Sequence, residues 1–86
     1  MEEENLVEIG RVAHFYTRIG VAVIELTASI SGGDKILIKG ANTNFGQTVE
    51  SMQIEHKNVE HAEAGQSIGL ELKDRAREGD VVYKIP

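Results

Sequence analysis

The sequence contains no cysteine, so neither a disulfide framework nor a thiolate metal site can form, and a small core must hold together by packing alone. No apolar run approaches the roughly 20 residues that a helix needs to cross a bilayer. The acidic start, MEEEN, lacks the basic, apolar and small-residue segments of a signal peptide, and a cytoplasmic location without membrane attachment is the expectation. Excess positive charge is also missing: nine Lys and Arg stand against fourteen Asp and Glu, for a net charge of -5. Affinity for nucleic-acid backbones in general comes from clustered cations that release counterions, so this balance argues against a broad phosphate binder. Helical periodicity is the last absence. The nearest candidate, residues 70–78, puts Lys73, Asp74 and Arg75 on what would be its apolar side.

What is present is the pattern of short strands. Hydrophobic residues make up 41% and charged residues 27% of the 86 positions, which is the balance of one folded domain spanning 1–86, with the acidic stretch 1–5 expected to be a flexible N-terminus that frays into solvent. Residues 20–40, GVAVIELTASISGGDKILIKG, read as two apolar strands at 21–26 and 35–39, joined as a hairpin through the polar turn Ser31-Gly32-Gly33-Asp34. Before them, 6–16 read as one strand bent at Gly10, and Gly20 ends the following turn in a conformation that a side chain would resist. After them come a polar loop over 40–47 and a strand at 48–56, irregular near Glu50 and Ser51. A loop at 57–65 pinned by Val59 and Ala62, then strands at 67–72 and 81–85, complete the chain. Six strands between Gly- and Asp-bearing turns predict an all-β fold, and closure into a barrel would remove exposed edges. The expected core is Val12, Val21, Val23, Ile36, Ile38, Met52, Ile54, Ile68, Leu70 and Val81.

Segments GRV (10–12), GVAVIEL (20–26), GDKILIKG (33–40), VESMQ (49–53), VEHAEAGQSIGLELK (59–73) and EGDVVYK (78–84) occur in an order that resembles the second domain of translational GTPases. The chain looks similar to small, free-standing elongation-factor-like proteins of archaea, and also to the C-terminal accessory barrel of collagenase-like peptidases. The likeness covers residues 7–85. It implies a small closed six-stranded antiparallel Greek-key-like β-barrel of the translation-factor domain 2 type. As function it implies a non-catalytic module that contacts tRNA, rRNA or another ribosomal component, with no GTP binding of its own. The alternative it implies is a protein-interaction barrel that associates with a larger enzyme such as a peptidase. No RNA-contacting residue carries over from the family to a numbered position.

The residues themselves weigh against most chemistry. GANTNFGQT at 40–48 follows a strand as a phosphate loop would, but its glycine spacing is one too long. Gln47 occupies the lysine position, and a strand is expected where a helix should present its amides. His56 and His61 lie near Glu55, Glu60 and Glu63, a ligand set zinc accepts, yet no helix face fixes both rings and a solvated charged loop is the expectation; no cofactor is expected. His14 is expected as a half-buried structural ring. No serine sits in a Gly-x-Ser-x-Gly elbow. Surface binding remains: Lys35 and Lys39 share a strand face, Arg11 and Arg18 flank the first turn, and Lys73, Arg75 and Arg77 form a cationic run interrupted by Asp74 and Glu78. Phe45, in the polar loop, is the aromatic candidate for stacking or for a partner's pocket, while Phe15 is expected to close one end of the barrel.

Overall fold

Aliphatic residues at alternate positions, punctuated by Gly and Asp, produce strands along most of the chain. The computed structural model describes residues 6–86, and the acidic stretch 1–5 lies outside the described residues. In chain order the strands are β1 (Val7–Tyr16), β2 (Val21–Leu26), β3 (Ile30–Ser31), β4 (Lys35–Gly40), β5 (Thr43–Thr48), β6 (Met52–Ile54), β7 (Lys57–Val59), β8 (His61–Ala62), β9 (Ser67–Glu71) and β10 (Val81–Ile85). The all-β expectation holds. No helix among the described residues is long and apolar enough to cross a membrane.

Eight strands form one antiparallel sheet in the order β5-β4-β10-β1-β2-β9-β6-β7, and β3 pairs with β8 as a separate ribbon. The expected closed six-stranded barrel is therefore corrected to an open sheet whose terminal strands are β5 and β7. A side chain links the edge strand β5 to the end of β9. The Gln47 Nε2 group donates to the Glu71 carbonyl (2.9 Å), and the Lys73 N–H donates to Gln47 Oε1 (2.8 Å). An amide side chain offers the same donor and acceptor as a peptide group, so one residue supplies this link without a ladder.

The expected hairpin over 20–40 does not form. β2 pairs with β1 and β9, whereas β4 pairs with β10 and β5. The reason is Ile30, fully buried just before the segment read as a turn and paired with Ala62, so the chain enters the core here instead of reversing at once. Residues 40–47 also differ from expectation: the turn is only Ala41 and Asn42, and β5 follows at once. Its polar residues suit a strand buried on one face, with Thr43 buried and Phe45 packed against the core. Residues 57–65 hold β7 and β8 instead of a plain loop, with Ala62 buried as expected.

Other details agree. β1 shifts register between Glu8 and Gly10, and again between Val12 and His14, which bends it across the core. Gly20 has φ 69°, a left-handed turn conformation that costs a side chain energy. The buried cluster includes the expected Val12, Ile36, Ile38, Met52, Ile68 and Leu70, with Ile54 packed at its margin. Val21, Val23 and Val81 are corrected: they are only half-buried, and Ala22, Ile24, Leu26 and Val82 point inward instead. In VVY both alternating phases are apolar, so alternation cannot choose between them, and in VAVIEL only Glu25, which shares a phase with Val21 and Val23, marks the outer face. Pairing decides: Val12 lies opposite Ile24 and Ile24 opposite Ile68, which puts all three on one face.

Candidate functional site

The sheet brings some of the expected cations together and separates others. Register aligns Lys39, Val81, Arg11 and Glu25 in one row across β4, β10, β1 and β2, so Lys39 and Arg11 flank Val81 and a carboxylate ends the row. Lys35 lies four residues along β4, about 13 Å from Lys39 at strand spacing, opposite Ile85 and Thr48. Arg18 is exposed in the turn between β1 and β2. Lys73, Arg75 and Arg77 are exposed in the segment between β9 and β10, where the acids serve the backbone: Asp74 Oδ1 accepts the Arg75 N–H (2.7 Å) and Asp80 Oδ2 the Arg77 N–H (2.8 Å). Phe45 faces inward, opposite Ile38, and packs, partly buried, against the buried cluster.

The histidines divide as well. His14 is half-exposed, its Nδ1 2.8 Å from Glu78 Oε2 and its ring edge-on to Tyr16 at 4.4 Å. His56 occupies a turn with φ 67°. Among the described residues no three His, Asp or Glu side chains converge as a metal set. His61 instead joins a serine that the sequence did not single out. Pairing of β3 with β8 places Ser31 opposite His61, with Ser31 Oγ 2.7 Å from Nδ1 and Glu63 Oε2 2.9 Å from Nε2.

The connectivity is that of a nucleophile, a base and an orienting acid, but acyl transfer also needs donors aimed at a developing oxyanion. The nearest N–H groups are committed elsewhere: Ser31 to Asp34 Oδ2 (2.8 Å), Gly32 to the Glu60 carbonyl (2.9 Å) and Gly33 to the Val49 carbonyl (2.8 Å). With the His61 and Glu63 side chains 51% and 70% exposed, the trio ties β3 to β8 at the surface. Only the fold, not the 30-residue spacing, reveals it.

Two further features lie outside the expected set. An open groove of about 570 Å³ is lined by Gln47, Thr48, Glu50, Ser51, Glu71, Leu72 and Lys73. On the outer face of the sheet, Leu37 of β4 and Tyr83 of β10 form a cross-strand pair, half-buried, with Val81 and Ile85 on the same face of β10. Alternation predicts such a face, but reading Val81 as core concealed it.

The comparisons follow this architecture. No family model matches the chain. Over 80 residues, 92% of its length, it is 49% identical to a Methanocaldococcus jannaschii protein named as an uncharacterized protease. Over 79 residues, 90% of its length, it is 33% identical to a collagenase of Porphyromonas gingivalis. The chain spans about a fifth of the length of these curated relatives, 20% and 22% respectively. The crystal structure of the C-terminal domain of a putative U32 peptidase from Geobacillus thermoleovorans matches it with a TM-score of 0.83 at 19% identity. That match covers 87% of this chain and 95% of the other, so the two share a fold.

The chain thus resembles the C-terminal domain of U32 peptidase and collagenase-like proteins. The expected translation-factor module is corrected by these findings, which favour the peptidase-associated alternative, and the expectation of a chain that is not an enzyme is corrected too, because the relatives are named protease and collagenase. Segment order misled because it records the turns and strands of a small antiparallel sheet, and one fold serves unrelated parents.

Proposed function

We propose that this chain works as the accessory domain of a collagenase-like peptidase of the U32 type, packed against the remainder of the enzyme. The observation that carries the reading is 49% identity over 92% of the chain to a protein named as a protease. The outer apolar face supports it. Leu37, Val81, Tyr83 and Ile85 form a patch of the kind buried at interfaces between domains, with Lys35 and Lys39 at its margin. Association through such a patch tolerates salt, whereas contacts between exposed charges weaken as ionic strength rises.

The test is a domain exchange in the M. jannaschii relative, read as hydrolysis of denatured polypeptide. Deleting the matching 80 residues abolishes or strongly reduces activity, and replacing them with this chain restores it. Introducing Leu37→Asp with Tyr83→Asp in the exchanged domain removes the restoration while the isolated domain stays folded. Full activity after deletion, or a folded exchange enzyme no better than the deletion, refutes the proposal.

A further inference from the structure

The two edges of the sheet are built differently. β7 has three residues, carries Lys57 and follows a turn in which Glu55 and His56 have φ of 52° and 67°; short length, charge and local twist all blunt an edge. β5 has six residues, TNFGQT, without a charge, a proline or a register shift. Of its side chains only Gln47 reaches across the gap, to the Glu71 carbonyl and the Lys73 N–H, and an added strand must displace or pass beneath that link.

Its free backbone groups can be assigned. Gly40 and Thr43 flank a two-residue turn, so the pairs Gly40–Thr43, Ile38–Phe45 and Ile36–Gln47 exchange hydrogen bonds within the hairpin. The bond from the Val49 N–H to the Asp34 carbonyl (2.8 Å) continues this phase two residues further. Asn44, Gly46 and Thr48 therefore direct their N–H and C=O groups away from β4. All three are exposed, and no other strand among the described residues pairs with them. Gly46, in the middle, brings no Cβ to hold off an approaching backbone. At the Thr48 end the edge opens on the groove, where Glu50 and Glu71 outnumber Lys73.

We infer that β5 is a docking edge for an extended, proline-free polypeptide segment, which adds as a further strand on Asn44, Gly46 and Thr48 and places a Lys or Arg beside Glu50 and Glu71. Main-chain hydrogen bonds supply the affinity and the groove charges the orientation. That the occupant is polypeptide rests on the peptidase reading. A second copy fits less well, because each copy carries -5 and its β5 supplies no Lys or Arg to face Glu50 and Glu71.

The probe is a capped eight-residue peptide of alternating Thr and Val with Lys at both ends, added to the 15N-labelled 86-residue protein. Amide shifts are expected at Asn44, Gly46 and Thr48, together with slower hydrogen exchange there. The same peptide N-methylated at every internal residue keeps its charge but loses its donors, and is expected to produce neither effect. Thr48→Pro removes one outward N–H without removing a bond to β4, and weakens binding roughly fivefold to tenfold, the worth of one net hydrogen bond.

Absence of shifts at millimolar peptide, an equal response to the methylated peptide, or a response centred elsewhere overturns the inference. Concentration-dependent shifts in β5 without peptide overturn it in favour of self-pairing. Failure here with success of the domain exchange leaves the peptidase reading intact, and the reverse result leaves the edge without that context.

Discussion

Replacing Gly40 by alanine tests how the end of β4 is packed. The added Cβ would lie 1.9 Å from Asp80 Oδ1 and 2.6 Å from its Cγ, far inside van der Waals contact. A carboxylate on the surface would rotate aside at little cost, but Asp80 is only 5% exposed and its Oδ2 accepts the Arg77 N–H at 2.8 Å. Its backbone carbonyl also accepts the Val12 N–H at 2.8 Å, and the Gly79 N–H donates to the Val12 carbonyl at 2.8 Å, so the turn is pinned to β1 on both sides.

Overpacking costs about 1–3 kcal/mol. Losing the buried carboxylate bond adds about 1–2 kcal/mol. Gly40→Ala is therefore expected to destabilise by about 2–5 kcal/mol, a large share of the roughly 5–15 kcal/mol that holds a domain together. In urea, with a slope of about 1 kcal/mol/M for so small a chain, the circular-dichroism midpoint falls by about 2 M or more. Asp80→Ala makes room for the methyl group, so in that background Gly40→Ala should cost under about 1 kcal/mol. A single-variant cost below about 0.5 kcal/mol, or the same cost in both backgrounds, refutes the reasoning.

Three further outcomes are expected. Ile24→Ala should cost about 2–5 kcal/mol by chemical denaturation and Val23→Ala under about 1.5 kcal/mol, because only Ile24 is fully buried; equal costs would mean that the phase of β2 is wrong. Gln47→Ala removes both side-chain bonds that link β5 to the end of β9 and to Lys73 beyond it, at about 1–2 kcal/mol, and should speed exchange of the Lys73 amide; unchanged exchange there would refute the bridge. Ser31→Ala should cost no more than about 1 kcal/mol in the same urea titration, since the Ser31–His61–Glu63 trio sits at the surface; a loss of several kcal/mol would show that it anchors β3 to the core.

Local chemistry settled a good deal by itself. The all-β class, the strands at 21–26 and 81–85, the bend at Gly10, the left-handed Gly20 and the inward Val12, Ile36, Ile38, Ile68 and Leu70 all follow from alternation, β-branching and turn residues. These signals act between neighbours within a few residues, where sequence spacing and physical distance are nearly the same.

Partnership between strands was settled only by the fold. That β2 pairs with β9 and not β4, that Gln47 spans the gap and that Ser31 meets His61 each join residues 24 to 50 positions apart. At such separations the periodicity of one segment carries no record of what lies opposite it. Where both phases of a strand are apolar, as at 81–83, even the inward face waits on that choice, because the neighbouring strand, not the segment's own pattern, decides which side meets the core.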